Sequence, residues 1–267
     1  MSTQAESANA YTSGLLSKDL PTEIDRLRLL EKVYDKGTTA VLERLGVAPH
    51  WNCLEIGAGA GSIAYWLADR VPRGRVTAVD IDPRYIDAGY APHLTVSSAD
   101  VTASDFPAGA YHLIHARAVF MHLPQRERIV ERAVEWLAPG GWLVLEDVHF
   151  LPAAESPYPA WQLVNGAWLA ALAAQGIDLS WARRLPAVLA GAGLDAVGVS
   201  VTPGGLGLDP VQDELLRIRM AQSGRSLVDA GLATADQVAA ARDLIESAPA
   251  PDVSTFVYSA WGRKPVL

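Results

Sequence analysis

A glycine loop that follows a short apolar strand constrains the fold of this chain more than any other feature. The residues run Leu54-Glu55-Ile56-Gly57-Ala58-Gly59-Ala60-Gly61-Ser62. Such a loop between a strand and a helix lets the backbone approach a ligand at the helix N-terminus. Relative to the dinucleotide pattern Gly-x-Gly-x-x-Gly, Ser62 stands in place of the last glycine, and Glu55 would bring negative charge close to a diphosphate. The loop therefore favours a ligand that carries a cationic amino group.

A second predicted strand ends in another carboxylate. The segment Arg75-Val76-Thr77-Ala78-Val79-Asp80 places Asp80 about 20 residues beyond the loop, the spacing at which an acid binds ribose hydroxyls. An adenosine that carries an amino acid would satisfy both acids. A nicotinamide-dependent oxidoreductase, using NAD(P), stays open as a third alternative, which Glu55 and Ser62 disfavour.

The motifs along residues 50–150 resemble, in order, those of the class I S-adenosylmethionine-dependent methyltransferase family, whose first motif reads acid-x-Gly-x-Gly-x-Gly. The later motifs are Val79-Asp80-Ile81-Asp82-Pro83, Ser98-Ala99-Asp100-Val101, Leu113-Ile114-His115-Ala116-Arg117 and Leu137-Ala138-Pro139-Gly140-Gly141-Trp142-Leu143-Val144-Leu145-Glu146. The resemblance implies an α/β fold with a Rossmann-like doubly wound sheet, mostly parallel with an antiparallel last strand, plus an N-terminal helix and a helical cap.

The resemblance also implies S-adenosylmethionine as cofactor and S-adenosylhomocysteine as product. Glu55 would bind the ammonium of the methionine moiety, Asp80 the ribose diol, and Asp100 with the Val101 amide the adenine edge. The implied cofactor-binding residues are Tyr11, Arg26, Glu55, Gly57, Ala58, Gly59, Gly61, Asp80, Ile81, Asp100, Val101, His115, Ala116 and Arg117. Structural alternatives stay open: a helix-capping acid for Glu55 and ordinary loop residues for the glycines, a simple turn residue for Asp100, a solvated helix face for Arg26, and a turn cap for Arg117.

Methyl transfer from a sulfonium is an in-line displacement, so the protein mainly has to align nucleophile and methyl group, and a base is optional. If the acceptor must lose a proton, a histidine at the strand tips can take it. The candidates are His149, just after the fifth strand, and His122 in Phe120-Met121-His122-Leu123-Pro124. A packing role is the alternative for His122, and a bystander without a part in catalysis is the alternative for His149. The sequence shows no cluster of Asp, Glu and His residues of the kind that would predict a metal site.

Short Val/Ile/Leu-rich segments alternate with amphipathic stretches, and the pattern predicts five segments. These are an N-terminal arm and leader helix (1–46), a cofactor-binding Rossmann-like core (47–150), cap helices with the sixth strand (151–204), a helical insertion acting as a lid (205–250), and the last strand (251–267). Within the core, helices are expected over 63–71, 83–89 and 125–137. In the insertion, Asp209-Pro210 predicts a helix start and Thr234-Ala235-Asp236-Gln237 a capping box.

Charge and composition narrow the class of acceptor. Lys and Arg number 22 against 30 Asp and Glu, a formal net charge of −8, and no basic run could follow a phosphate backbone, so nucleic acid is not the expected substrate. We expect a cytoplasmic protein with no membrane segment, because no long apolar run or signal-peptide pattern is present. The single cysteine, Cys53, is expected in the core.

A small molecule therefore remains as the expected methyl acceptor, at nitrogen, oxygen or carbon, and the family analogy suggests secondary metabolism. A homodimer is left open. A non-methylating enzyme on the same fold, which would bind the cofactor while it catalyses a cyclisation or rearrangement, is the second function. Trp161, Trp168 and Trp181 are either an aromatic wall for the substrate or the core of the cap.

Overall fold

The computed structural model describes residues 17–247 and 250–266. Its helices are α1 (Glu23–Leu45), α2 (Ser62–Arg70), α3 (Arg126–Trp136), α4 (Pro159–Ala174), α5 (Leu185–Gly191), α6 (Pro210–Asp229) and α7 (Ala235–Glu246). Its strands are β1 (Asn52–Ile56), β2 (Arg75–Asp80), β3 (Leu94–Ser98), β4 (Tyr111–Arg117), β5 (Leu137–Phe150), β6 (Asp195–Leu206) and β7 (Asp252–Arg263). Tyr11, one of the expected cofactor-binding residues, lies outside the described residues.

The seven strands form a single sheet in the order β3-β2-β1-β4-β5-β7-β6. Strands β1 to β5 pair in parallel, and the register places Glu55 opposite both Ala78 of β2 and His115 of β4. The last strand, β7, lies between β5 and β6. The predicted mostly parallel, Rossmann-like sheet with an antiparallel last strand is confirmed.

The chain divides into two compact units. One, the sheet unit, consists of Tyr34–Val148, Ser180–Thr202 and the segment from Val257 onward. The other, the helical unit, consists of the described residues up to Val33 together with His149–Leu179 and Pro203–Phe256. The long elements α1, β5, β6 and β7 contribute residues to both units.

Apolar side chains of the parallel strands form the core of the sheet unit. The buried cluster contains Cys53 of β1, Val76 of β2, Leu113 of β4 and Val144 of β5, with Leu67 of α2 packed against them. Strands covered on both faces have nearly continuous apolar sequences, as these do. Cys53 is therefore a core residue, and its burial raises the pKa of its thiol far above the usual range.

The insertion forms the two helices that its caps predict. The Asp209 side chain accepts hydrogen bonds from the Val211 and Gln212 amides at the start of α6. At the start of α7, Thr234 and Gln237 form both hydrogen bonds of a capping box. No helix in the described part of the chain is long and apolar enough to cross a membrane.

The prediction of a helix over 83–89 is wrong. The segment forms turns instead, with the Ile86 amide bonded to the Pro83 carbonyl and the Gly89 amide bonded to the Asp87 carboxylate. Seven residues are too few to form a stable helix without strong packing, and an Asp two residues before a Gly stabilises a turn. Asp82 consequently caps no helix and pairs with the Arg84 side chain at 2.6 Å.

Candidate functional site

The glycine loop has left-handed backbone at each of its glycines. The φ angles of Gly57, Gly59 and Gly61 are 68°, 60° and 100°, in the region where a side chain is strained. At Gly57 a Cβ atom would also lie 2.2 Å from Cγ2 of Val119, in the segment after β4. The loop therefore needs glycine at position 57, both for the backbone conformation and for the space beside Val119. Gly61 is the last residue before α2.

Asp80 at the end of β2 lies against this loop. Its Oδ2 atom accepts a hydrogen bond from the Gly59 amide at 2.9 Å, and its Oδ1 atom accepts one from the Asp82 amide at 2.9 Å. The side chain is buried. Asp80 thus brings a negative charge to the left-handed loop, at the carboxyl edge of the sheet where open α/β folds bind ligands.

Beneath the loop, Glu55, His115 and Glu146 form a buried Glu–His–Glu network. The Nδ1 atom of His115 lies 2.7 Å from Glu55 Oε2, and its Nε2 atom lies 3.2 Å from Glu146 Oε2. Ionised carboxylates only accept hydrogen bonds, so both imidazole nitrogens carry hydrogens and His115 is an imidazolium. Burial alone would lower the pKa of His115, but the two carboxylates raise it to about 9.

The network continues to α1 through Glu146 and Arg117. Thr38 donates a hydrogen bond to Glu146, and Arg117 donates to Thr38 at 2.8 Å and to Asp35 at 2.8 Å. Burial opposes ionisation of Glu146, but hydrogen bonding to His115 and the charges of His115 and Arg117 lower its pKa. Arg117, for which a ligand carboxylate or a turn was expected, is thus paired with the N-terminal helix.

Several other expected cofactor-binding residues lie at the same edge of the sheet unit. The Asp100 carboxylate accepts hydrogen bonds from the amide and hydroxyl of Thr102, at 2.8 and 2.7 Å. Val101 beside it is buried, while Ile81, next to Asp80, is exposed. Ala58 follows the first loop glycine, and Ala116 pairs with Ile56 across β1 and β4. This edge therefore brings together all the expected cofactor-binding residues except Tyr11 and Arg26.

Arg26 belongs to the helical unit and is held by Glu23. Two of its guanidinium nitrogens lie 2.7 and 2.6 Å from the Glu23 carboxylate oxygens. Glu23 is buried, and Gln222 of α6 donates a hydrogen bond to it at 3.4 Å. Arg26 is therefore engaged within its own unit and not on a solvated helix face.

The two candidate bases fall in different units. His122 ends a short 3-10 helix, Phe120–His122, in the sheet unit. His149 is the first residue of β5 that belongs to the helical unit. Between these histidines along the chain, Asp147 is fully buried, and its burial raises its pKa well above the usual range despite a hydrogen bond from the Met121 amide. Asp147 is thus protonated more readily than an ordinary aspartate.

The sequence reasoning missed the partners that hold His115 and Arg117. In the sequence, Glu146 is only the last residue of a motif, and Asp35 and Thr38 are residues of the leader helix with no distinguishing pattern. Parallel register supplies the missing signal for one of them, because β4 and β5 pair Arg117 with Glu146. Nothing in the sequence indicates that the middle of α1 reaches these residues.

Comparison with known proteins gives matches in sequence and structure. The family described as "Methyltransferase domain" matches residues 18–199. Methyltransferase str3 of Strobilurus tenacellus is 38% identical over 38% of this chain and 37% of its own length, so the chain spans less than half of this relative. Trans-aconitate 2-methyltransferase of Methylobacterium radiotolerans is 32% identical over 45% of this chain and 46% of its own length.

Among solved structures, Haemonchus contortus phosphoethanolamine N-methyltransferase 2, in complex with phosphomonomethylethanolamine and S-adenosylhomocysteine, superposes with a TM-score of 0.60. That similarity covers 92% of this chain and 59% of the solved chain at 14% identity, so it concerns the fold alone. The family match covers most of the chain and includes the glycine loop, Asp80 and the Glu–His–Glu network. The chain therefore belongs to the methyltransferase domain family.

Proposed function

We propose that this protein binds S-adenosylmethionine and transfers its methyl group to a small molecule. The observation that carries the proposal is the contact between Asp80 and the Gly59 amide, which joins the end of β2 to a left-handed glycine loop. Membership of the methyltransferase domain family supports the choice of cofactor. Bound S-adenosylmethionine would supply an electrophilic methyl group on its sulfonium.

The residues at the carboxyl edge fit such a cofactor. The glycines present backbone without side chains, and a Cβ at Gly57 would lie within 2.2 Å of Val119. Asp80 supplies carboxylate oxygens, which are suitable acceptors for ribose hydroxyls. We propose that Asp80 holds the ribose and that Asp100 and the Val101 amide contact the adenine, as the family resemblance implies.

The role proposed for Glu55 is electrostatic. Its Oε2 atom is already bonded to His115, and the residue is only 3% exposed. A buried carboxylate two residues before the first loop glycine favours a ligand's ammonium group through its charge. His115 and Glu146 hold that carboxylate in place, so we assign these two residues to positioning rather than to direct contact with the methyl donor.

Proton removal from the acceptor is proposed for a histidine, with His122 and His149 both kept as candidates. The acceptor atom, nitrogen, oxygen or carbon, decides whether a base is used at all. The net charge of −8 and the absence of a basic run in the sequence support a small-molecule acceptor over nucleic acid. The five-segment division, including a lid over 205–250, and the cytoplasmic location are kept as parts of this proposal.

The test compares Asp80→Asn with Asp82→Asn in isothermal titration of S-adenosylhomocysteine. Asp82 is a matched control because it lies two residues away and its side chain pairs with Arg84. We expect D80N to weaken binding at least tenfold, about 1.4 kcal/mol, and D82N to bind like the wild type. Equal affinities for D80N and wild type would contradict the assigned site.

Radiolabelled methyl transfer from S-adenosylmethionine to candidate acceptors then separates the two enzymatic classes. A labelled product together with S-adenosylhomocysteine supports methyl transfer. Conversion of a substrate without consumption of the cofactor would instead support a rearrangement. Tight binding of NAD(P)H, with none of S-adenosylhomocysteine, would support the oxidoreductase.

A further inference from the structure

A group of aromatic and polar side chains in the helical unit surrounds one arginine. The Arg219 guanidinium of α6 lies 4.2 Å from the ring centroid of Trp168 and 5.0 Å from that of Trp161, both on α4. Arg219 also donates a hydrogen bond to Oδ1 of Asn165 at 3.0 Å. Residues 161, 165 and 168 share one face of α4, because they are four and three positions apart. We call these four residues the tryptophan–arginine cluster.

The cluster is buried, yet its indole groups lack acceptors. Trp161 and Trp168 are 0% and 6% exposed, and Asn165 is also buried. Within residues 17–247 and 250–266, neither indole Nε1 atom has a hydrogen-bond partner. A buried donor without an acceptor costs about 1–3 kcal/mol. Two such donors beside one arginine therefore call for an acceptor that the described residues do not provide.

The chemistry of the donors defines what that acceptor is. An indole N–H only donates, and a guanidinium carries five donors and a permanent positive charge. The only acceptor shown within the cluster, Oδ1 of Asn165, is already used by Arg219. A carboxylate or a phosphate matches this arrangement, because each brings several acceptor oxygens and negative charge, and guanidinium binds both through paired hydrogen bonds.

We propose that the tryptophan–arginine cluster binds an anionic small molecule that presents a carboxylate or a phosphate. The bound anion accepts hydrogen bonds from the indole N–H groups of Trp161 and Trp168, and charge-assisted hydrogen bonds from the Arg219 guanidinium. Binding of this anion does not rest on the proposed function. A ligand that lacks the anionic group would leave the buried donors unpaired and would bind more weakly.

A neighbouring cavity is lined by acidic side chains and would bind a cationic ligand instead of an anionic one. Binding of a cation there is therefore the alternative outcome of the test. Trp161 and Asn165 also line a cavity whose wall includes Glu155 and Asp252. Those carboxylates, beside an aromatic ring, would suit a cation. A ligand that binds through this cavity would therefore be an amine, and charge distinguishes it from a ligand of the cluster.

The experiment titrates the 267-residue chain with benzoate, citrate, inorganic phosphate and, as the cationic probe, ethanolamine, with and without saturating S-adenosylhomocysteine. We expect at least one anion to bind with a Kd of about 1 mM or lower. Arg219→Met should weaken that binding at least tenfold. Arg217→Met is the matched control, because Arg217 lies on the same helix and pairs with Glu214 at 2.8 Å, and it should not change the affinity.

A second pair of variants keeps the test valid if R219M does not fold. Trp168→Phe preserves the aromatic ring and removes the N–H, so it should weaken anion binding, whereas Trp181→Phe in the sheet unit should not. The relative preference for carboxylates or phosphate identifies the anion. The proposal is overturned if no anion binds the wild type at about 20 mM, if ethanolamine binds instead, or if W168F binds anions as well as W181F does.

Titration of S-adenosylhomocysteine into the same variants separates this proposal from the proposed function. Loss of anion binding in R219M with unchanged S-adenosylhomocysteine binding supports the cluster as an anion site. Anion binding by a wild-type protein that binds no S-adenosylhomocysteine would leave the anion site standing and overturn the cofactor assignment.

Discussion

Removal of the proton from His115 should destabilise the folded protein in a defined pH range. This imidazole is fully buried, and its two nitrogens contact Glu55 at 2.7 Å and Glu146 at 3.2 Å. Burial favours the neutral form, but the two carboxylates outweigh it and raise the pKa of His115 to about 9. When the proton is lost, two buried carboxylates lose the cation that lies between them.

The magnitude follows from the difference in pKa between folded and unfolded chains. A pKa of about 9 in the folded state, against the ordinary 6.5, corresponds to about 3 kcal/mol. Because the folded-state pKa is the higher one, this stabilisation is complete below pH 6.5 and is lost as the pH rises through about 9. A loss of this size is a large part of the 5–15 kcal/mol that is typical of a folded protein.

Urea unfolding at about pH 6 and about pH 9.5 measures this loss, which we expect to be about 3 kcal/mol in the wild type. His115→Gln should be less stable at pH 6 by about 3–5 kcal/mol, since an uncompensated buried charge remains, and should show little further change with pH. His50→Gln, at an exposed histidine, controls for histidine loss and should follow the wild type. A wild-type free energy of unfolding that stays constant, or an equal pH slope in H115Q, would refute the reasoning.

Two further substitutions test the loop and the insertion. Gly57→Ala should destabilise the protein by more than about 2 kcal/mol and abolish S-adenosylhomocysteine binding, because its Cβ would lie 2.2 Å from Val119. Gly109→Ala is the control, since Gly109 has the same φ of 68° but no atom nearby, and this variant should lose less stability and keep its binding. Similar thermal melts for the two variants would contradict the close-contact argument. Thr234→Ala removes the cap of α7 and should lower the free energy of unfolding by about 1 kcal/mol in urea titrations; an unchanged midpoint would mean that α7 does not depend on its cap.

Local sequence was enough to predict most of the elements that carry the site. The glycine loop, the acid at the end of β2 and the capping box of α7 depend on residues only a few positions apart, and each has a specific local geometry. The wrong helix over 83–89 is also local in origin, because the amphipathic pattern there competes with turn formation by Asp87 and Gly89. Where two local preferences conflict, pattern alone does not decide.

The sequence by itself determined the mostly parallel α/β sheet, the methyltransferase resemblance and the order of the site residues, since apolar periodicity and glycine chemistry act over short stretches. Only the tertiary structure decided what these residues contact. His115 lies between Glu55 and Glu146, and Arg219 lies against two tryptophans more than 50 positions earlier. Strand register and helix packing place such distant groups together, and no short stretch of sequence encodes either one.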